Sequence, residues 1–193
     1  MTARPGVPIT TSSTSGRSSP AAAAFVAASS LFVTAAHAQA PVEAPNVVPI
    51  SASLVTSGQP PAAELGRLKE KGFEAVIYLA PPTVSDAVKD EALIVARQGI
   101  TFINIPVRFD NPTSADFEQF AAVLKALGPR KVLVHCQVNM RASAFTFLYR
   151  TTVLKQDARE AYRDVSRIWT PHHVWKEMIE GELRKNGIAF EIL

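Results

Sequence analysis

Cys136 is the only cysteine in the 193 residues, and its neighbours are of the types that make a thiol reactive. His135 precedes it, four residues separate it from Arg141, and Ser143 follows two positions later. The thiolate, not the thiol, is the nucleophile, and it is stabilised by a nearby cation, by converging backbone N–H groups and by the positive end of a helix. The run Val132-Leu133-Val134-His135-Cys136-Gln137-Val138-Asn139-Met140-Arg141-Ala142-Ser143 reads as an apolar strand, a short excursion and a helix start. In that reading the loop residues Gln137, Val138, Asn139 and Met140, with Ala142 and Ser143, cradle an anion through their amides. Arg141 supplies a planar fork matched to two oxygens of a tetrahedral oxyanion. Ser143 is placed to hydrogen-bond the sulfur, and His135 is expected to bond backbone and orient the loop rather than act as a base.

Such a loop needs elements to hold it. Val47 to Val55 reads as a short strand or hairpin arm, stopped by Ser57-Gly58-Gln59-Pro60-Pro61, and a helix opens at Pro61 with Leu65 and Leu68 inward and Gly72 at its end. Phe73 to Leu79 is a compact apolar run suited to a strand buried on both faces, and Pro81 and Pro82 end it. Ser85 to Gln98 carries Val88, Ala92, Val95 and Ala96 on one helical face, with Gly99 beyond its end. Ile100 to Val107 returns to strand. Thr113 and Asp116 have capping-box spacing before Phe117, Phe120, Ala121 and Leu124, and Gly128-Pro129 closes that helix. Val132 to Val134 is the next strand.

This alternation predicts an α/β fold with a mostly parallel four- to five-stranded sheet flanked by helices. Ligand sites in such sheets lie beyond the carboxyl ends of the strands, which is where Cys136 falls. The remainder reads as helical in three pieces, Arg141 to Lys155, Asp157 to Trp169 and His172 to Asn186, with Gly187 as a cap. Ile188 to Leu193 is either an edge strand or a packed tail.

Several other features have plainer readings. Glu64, Lys69, Glu70 and Lys71 form a charge run expected on a solvated helix face. His172 and His173 are adjacent, so on a helix they diverge and chelate poorly; a surface or capping role is expected. Trp169, Trp175, Met178 and Ile179 recur at helical spacing and read as a core or docking face, as do Phe145, Leu148 and Tyr149.

Residues 1–38 contain Arg4 and Arg17 but no acid. The apolar run Ala21 to Ala36, followed by Ala36-His37-Ala38, has the pattern of a secretory signal cleaved after Ala38, and it is short for a membrane span. The expectation is therefore a signal peptide at 1–38, a Pro/Ala-rich disordered linker at 39–46, and an exported, periplasmic domain at 47–193. Without Arg4 and Arg17 the chain keeps 18 basic residues against 17 acidic ones. No Lys/Arg stripe with interleaved aromatics remains, so a nucleic-acid partner is not expected, and neither is membrane insertion after cleavage.

His135-Cys136 with Arg141 and Ser143 resembles the signature of cysteine-dependent protein tyrosine and dual-specificity phosphatases. Ser57-Gly58-Gln59-Pro60 and Ile105-Pro106-Val107 are similar to a small bacterial branch of that superfamily, also found fused to β-lactamase-like hydrolases. The resemblance spans Val47 to Trp169. It departs at one point: the family usually places five residues between Cys and Arg, whereas this chain has four and lacks the usual loop glycine. Asn139 is the natural replacement, because Asn tolerates left-handed backbone.

The resemblance implies a phosphomonoesterase acting on phosphotyrosine-like esters in a small molecule or phosphoprotein. Cys136 attacks phosphorus, Arg141 and the loop amides stabilise the equatorial oxygens, and water hydrolyses the phosphocysteine without cofactor or metal. It also implies an acid for the leaving oxygen on an upstream loop, for which Asp110 is the candidate, with Asp116 and Glu118 as rivals. The short loop keeps two alternatives open: a rhodanese-like sulfurtransferase carrying a persulfide on Cys136, and a non-catalytic oxyanion-binding module.

Overall fold

The computed structural model describes residues 41–192, so the signal expected at 1–38 lies outside the described residues. A five-stranded sheet runs in the order β1-β2-β5-β3-β4. Its strands are β1 (Val48–Ser51), β2 (Leu54–Ser57), β3 (Ala75–Tyr78), β4 (Thr101–Asn104) and β5 (Val132–His135). β1 and β2 form an antiparallel hairpin, and the other three pairings are parallel. The mostly parallel sheet expected from the alternation is present. Its central strand, β5, is buried along its whole length, as is β3 beside it.

Among the described residues, six α-helices accompany the sheet: α1 (Ala62–Leu65), α2 (Glu91–Ala96), α3 (Ser114–Leu127), α4 (Met140–Leu148), α5 (Ala158–Ser166) and α6 (Val174–Lys185). α3 starts with the expected capping box, in which Thr113 and Asp116 exchange hydrogen bonds. Phe117, Phe120, Phe145, Trp175 and Ile179 join one core on that side of the sheet, and Trp169 packs with them. α4 is buried from Arg141 to Leu148, and its end widens into a π-helical turn at Tyr149–Val153. The C-terminal segment is a packed tail, with the Phe190 ring against Phe147 and Tyr162 and Ile192 buried.

Three expectations are corrected. The helix expected over 85–98 is only α2, whose buried residues are Glu91 and Val95 while Ala92 and Ala96 are exposed. Asp90 before it is left-handed (φ 60°), and the helix turns a carboxylate inward rather than an alanine face. The expected linker is not disordered over 41–46: Val42 is buried, and the segment is hydrogen-bonded to the domain.

The charge run is not a solvated face either. Lys69 and Glu70 are exposed, but Glu64 is fully buried and forms an ion pair with buried Lys71. The Glu64 carboxyl also accepts from the Glu43 amide at 3.0 Å and from Arg67.

Burial alone would push the Glu64 carboxyl up, yet Lys71, the Glu43 amide and Arg67 outweigh it and hold the group below its usual value. A depressed carboxyl stabilises the fold above its unfolded pKa, and that contribution is lost as pH falls through the folded one. Urea unfolding is therefore expected to show stability dropping below about pH 4.5. Glu64→Gln should lower stability at pH 7 and flatten this acid limb; an unchanged limb would refute the role given to the pair.

Candidate active site

β5 runs straight into the cysteine. His135 is its last residue, paired in register with Ser57 on β2 and Tyr78 on β3. The Cys136 amide donates to the Ser57 carbonyl at 3.2 Å, so the backbone at the cysteine still belongs to the sheet. The chain then turns through Gln137, Val138 and Asn139 and enters α4 at Met140. Asn139 caps that helix in left-handed conformation (φ 71°), the position the missing loop glycine leaves to it. The amides of Met140, Arg141 and Ala142 occupy the first turn, where no intrahelical acceptor exists, and they carry the positive end of the helix dipole.

Arg141 is 5% exposed. Its Nε donates to the Val107 carbonyl at 2.9 Å and its Nη1 to Gln137 Oε1 at 3.3 Å. The guanidinium carbon stands 5.1 Å from the centre of the Phe109 ring. All these partners are neutral. A guanidinium taken out of water loses several kcal/mol, whereas a cation–π contact returns about 0.5 to 2 kcal/mol. The guanidinium is therefore buried with no carboxylate in direct contact, and the nearest acid of the cavity, Asp86, reaches it only through Gln137. A shallow cavity of about 200 Å³ opens there, lined by Arg141, Gln137, Val138, Met140, Phe109 and Asp86. It is smaller than the roughly 300 to 1,000 Å³ of drug-sized sites. A larger cavity of about 440 Å³ lies under residues 82–92 and contains no residue of the 136–141 loop.

The sulfur residue itself has no exposed surface and does not line the small cavity. Beside it, His135 is equally buried, and its ring stacks on Tyr78 with centroids 4.7 Å apart and planes 16° off parallel. His135 does not bond backbone as expected; its Nε2 lies 2.8 Å from Glu91 Oε1. The other Glu91 oxygen accepts from Gln59 Nε2 at 2.9 Å. Burial, and after it the carboxylates of Glu91 and Asp86, raise the Tyr78 hydroxyl well above the usual phenol range. The sequence reading overlooked Glu91 because it stands between Val88 and Ala92 of the expected apolar face, in a helix that turned out shorter. The Gln59 of the Ser57-Gly58-Gln59-Pro60 run was the available signal for a polar partner.

The other expected site residues divide. Gln137, Val138 and Met140 line the cavity, and Asn139 shapes the turn from a buried position. Ala142 is wholly buried, which leaves only its amide for an anion. Ser143 does not serve the sulfur: its hydroxyl donates to the Met140 carbonyl at 3.0 Å and accepts from the Trp169 indole at 3.3 Å.

Asp110 lies outside the cavity lining. It is exposed and bound by both oxygens to Arg108, at 3.1 and 2.7 Å, and that guanidinium holds its carboxyl below the usual range. Of its rivals, Asp116 is spent on the α3 cap, and Glu118 is exposed on that helix. Asp86, which the sequence reading did not consider, lines the cavity and accepts from Gln137 Nε2 at 2.7 Å. The signal for it was strand order: β3 lies next to β5, so the loop after β3 reaches Cys136 more directly than the loop after β4.

Domains in which a central parallel strand delivers a cysteine to a turn closed by an arginine on a buried helix form the cysteine-dependent protein tyrosine and dual-specificity phosphatase class, and this one falls within it. The chain belongs to the family described as DSP-PTPase phosphatase fused to NAD+ kinase, whose model matches residues 37–179. A putative phosphatase (DUF442) from Shewanella putrefaciens CN-32 is 28% identical, with a TM-score of 0.69 over 75% of this chain and 95% of that one. The core catalytic domain of the PP-IP phosphatase SIW14 from S. cerevisiae has a TM-score of 0.61 at 14% identity, covering 77% of this chain and 96% of its own. TpbA from P. aeruginosa has a TM-score of 0.53 at 20% identity, covering 74% and 91%. The last two share the fold. No curated protein matches the chain.

Glu91→Ala would leave the His135 ring and the Gln59 amide facing an empty, desolvated space. It is expected to cost about 1 to 3 kcal/mol in urea unfolding. A loss below about 0.5 kcal/mol would show that the buried cluster is not held by this carboxylate.

Proposed function

We propose that this domain hydrolyses phosphomonoesters through a phosphocysteine on Cys136. The observation that carries the reading is Arg141, a buried guanidinium with only neutral partners, in the first turn of the helix that follows the cysteine. A phosphoryl group supplies the missing negative charge. It competes well for Nη1, because a phosphoryl group adds full opposite charge and a bidentate geometry that the Gln137 amide lacks, and the Gln137 contact is long at 3.3 Å. Cys136 presents no surface in this structure, so attack on phosphorus requires the turn to open.

In this mechanism the sulfur forms a bond to phosphorus as the ester oxygen leaves, and Arg141 with the first-turn amides of α4 holds the equatorial oxygens. Asp86, at the cavity wall, protonates the leaving oxygen and then takes a proton from the water that cleaves the phosphocysteine. The exposed Phe109 and Val138 at the rim suit an ester with an apolar or aromatic leaving group, in a phosphorylated small molecule or phosphoprotein. The Ala21 to Ala36 run and Ala36-His37-Ala38 support export to the periplasm, where such substrates would be met.

The four-residue turn favours a second reading, sulfur transfer from thiosulfate, whose oxyanion suits the same guanidinium. Both are tested with O-phosphotyrosine and, separately, thiosulfate with cyanide. Hydrolysis is expected, abolished in Cys136→Ser and reduced at least about a hundredfold in Arg141→Ala. Asp86→Asn should lower kcat by about a hundredfold or more, and Asp110→Asn should leave it within a few-fold. Thiocyanate formation without phosphate release would replace this reading by the second, and equal losses in the two Asp variants would remove Asp86 from its role.

A further inference from the structure

The reaction loop is held from outside by the residues that precede β1. Asn46 Nδ2 donates to the Val138 carbonyl at 3.0 Å, and Asn139 Nδ2 donates back to the Asn46 carbonyl at 2.6 Å. The same Asn139 amide reaches Thr56 Oγ1 at 3.0 Å. Alongside, the Gly58 amide donates to the Pro45 carbonyl at 2.7 Å and the Gln59 amide to the Gln137 carbonyl at 2.9 Å. The packing there is so close that a Cβ on Gly58 would lie 2.8 Å from the Gln137 carbonyl oxygen and 2.9 Å from Pro45 Cβ. The far end of the segment is tied down as well: Val42 is buried, the Glu43 amide meets Glu64 at 3.0 Å, and Lys71 Nζ donates to the Pro41 carbonyl at 2.7 Å.

We propose that residues 41–46 are a strap that sets the geometry of the shortened Cys136–Arg141 turn, with Asn46 as its positioning residue. Both members of the amide clamp, Asn46 (φ 50°) and Asn139 (φ 71°), stand in left-handed backbone, which Asn adopts more readily than most residues but less freely than glycine. Surrounding contacts are what select that conformation over the extended alternatives. The reciprocal bonds do so: the Asn46 side chain fixes the carbonyl just before Asn139, and the Asn139 side chain fixes the carbonyl of Asn46. A turn one residue short and without glycine thus keeps its amides and Arg141 aligned on one guest. The segment that joins the domain to the chain before it is thereby part of the active-site wall.

This inference rests on the loop being an oxyanion site, and its test separates the two. Asn46→Gly in the full chain keeps the positive φ, the Asn46 carbonyl and the Pro45 contact, and removes only the bond to Val138. Amide hydrogen exchange of the peptide spanning 136–141 is expected to quicken about two- to tenfold, the range for losing one neutral hydrogen bond, with the peptide over β3 unchanged. Orthovanadate inhibition of O-phosphotyrosine hydrolysis should weaken by a similar factor. Asn139→Gly, which removes the return bond, should quicken the same peptide and serves if the first variant does not fold. Loop exchange equal to wild type, or quickening shared equally by β3, overturns the strap. A wild-type protein without turnover or vanadate competition would sink the hydrolase reading alone, and the exchange comparison would still decide the strap.

Discussion

A guanidinium buried with no carboxylate in direct contact constrains everything around it. Lys71 and Arg150 also leave water in part, but each meets a carboxylate, Glu64 and Asp164. Arg141 meets a main-chain carbonyl, a side-chain amide and the face of Phe109. Those contacts aim the guanidinium and satisfy part of its hydrogen bonding without neutralising it. The fold tolerates this because α4 is packed along its buried length and cannot swing the side chain out to solvent. A rigid scaffold holding an uncompensated charge is what preorganised anion binding requires, since the cost of desolvation is met by folding and not at the moment of binding.

Strand order decides which other groups share that charge. Because β3 lies between β5 and the edge strand β4, the loop and helix after β3 bring Asp86 to the cavity and Glu91 against His135. The chain after β4 makes a different contribution: the Val107 carbonyl and the Phe109 ring grip Arg141, while Asp110 turns outward to Arg108. The carboxylates thus divide by position, one at the mouth of the cavity and one behind the cysteine in a cluster with Gln59 and Tyr78.

The shortened turn fits the same picture. With four residues between Cys136 and Arg141, Asn139 takes the left-handed position, and contacts from Asn46, Thr56 and Gly58 supply the constraint that turn length does not. The first six described residues are therefore continuous with the site in energetic terms, although nothing in their Pro/Ala-rich composition advertises it.

Local rules carried the sequence reading through the alternation of elements, the α3 capping box, the apolar β3 and β5 runs, and the aromatic core of α4 and α6. Each depends on propensity or periodicity within a few residues. That a strand-end cysteine is followed by an arginine in the first turn of the next helix was legible for the same reason, because the two lie on one continuous stretch of chain. What periodicity could not reach were partnerships across the sequence: Glu91 with His135, Asp86 with Gln137, Glu64 with Lys71, and Asn46 with the reaction loop. A carboxylate or amide has the same local preferences whether it ends up in water or against a partner brought near by strand order. Burial decides between those fates, and burial is a property of the assembled sheet and helices, not of any short run of residues.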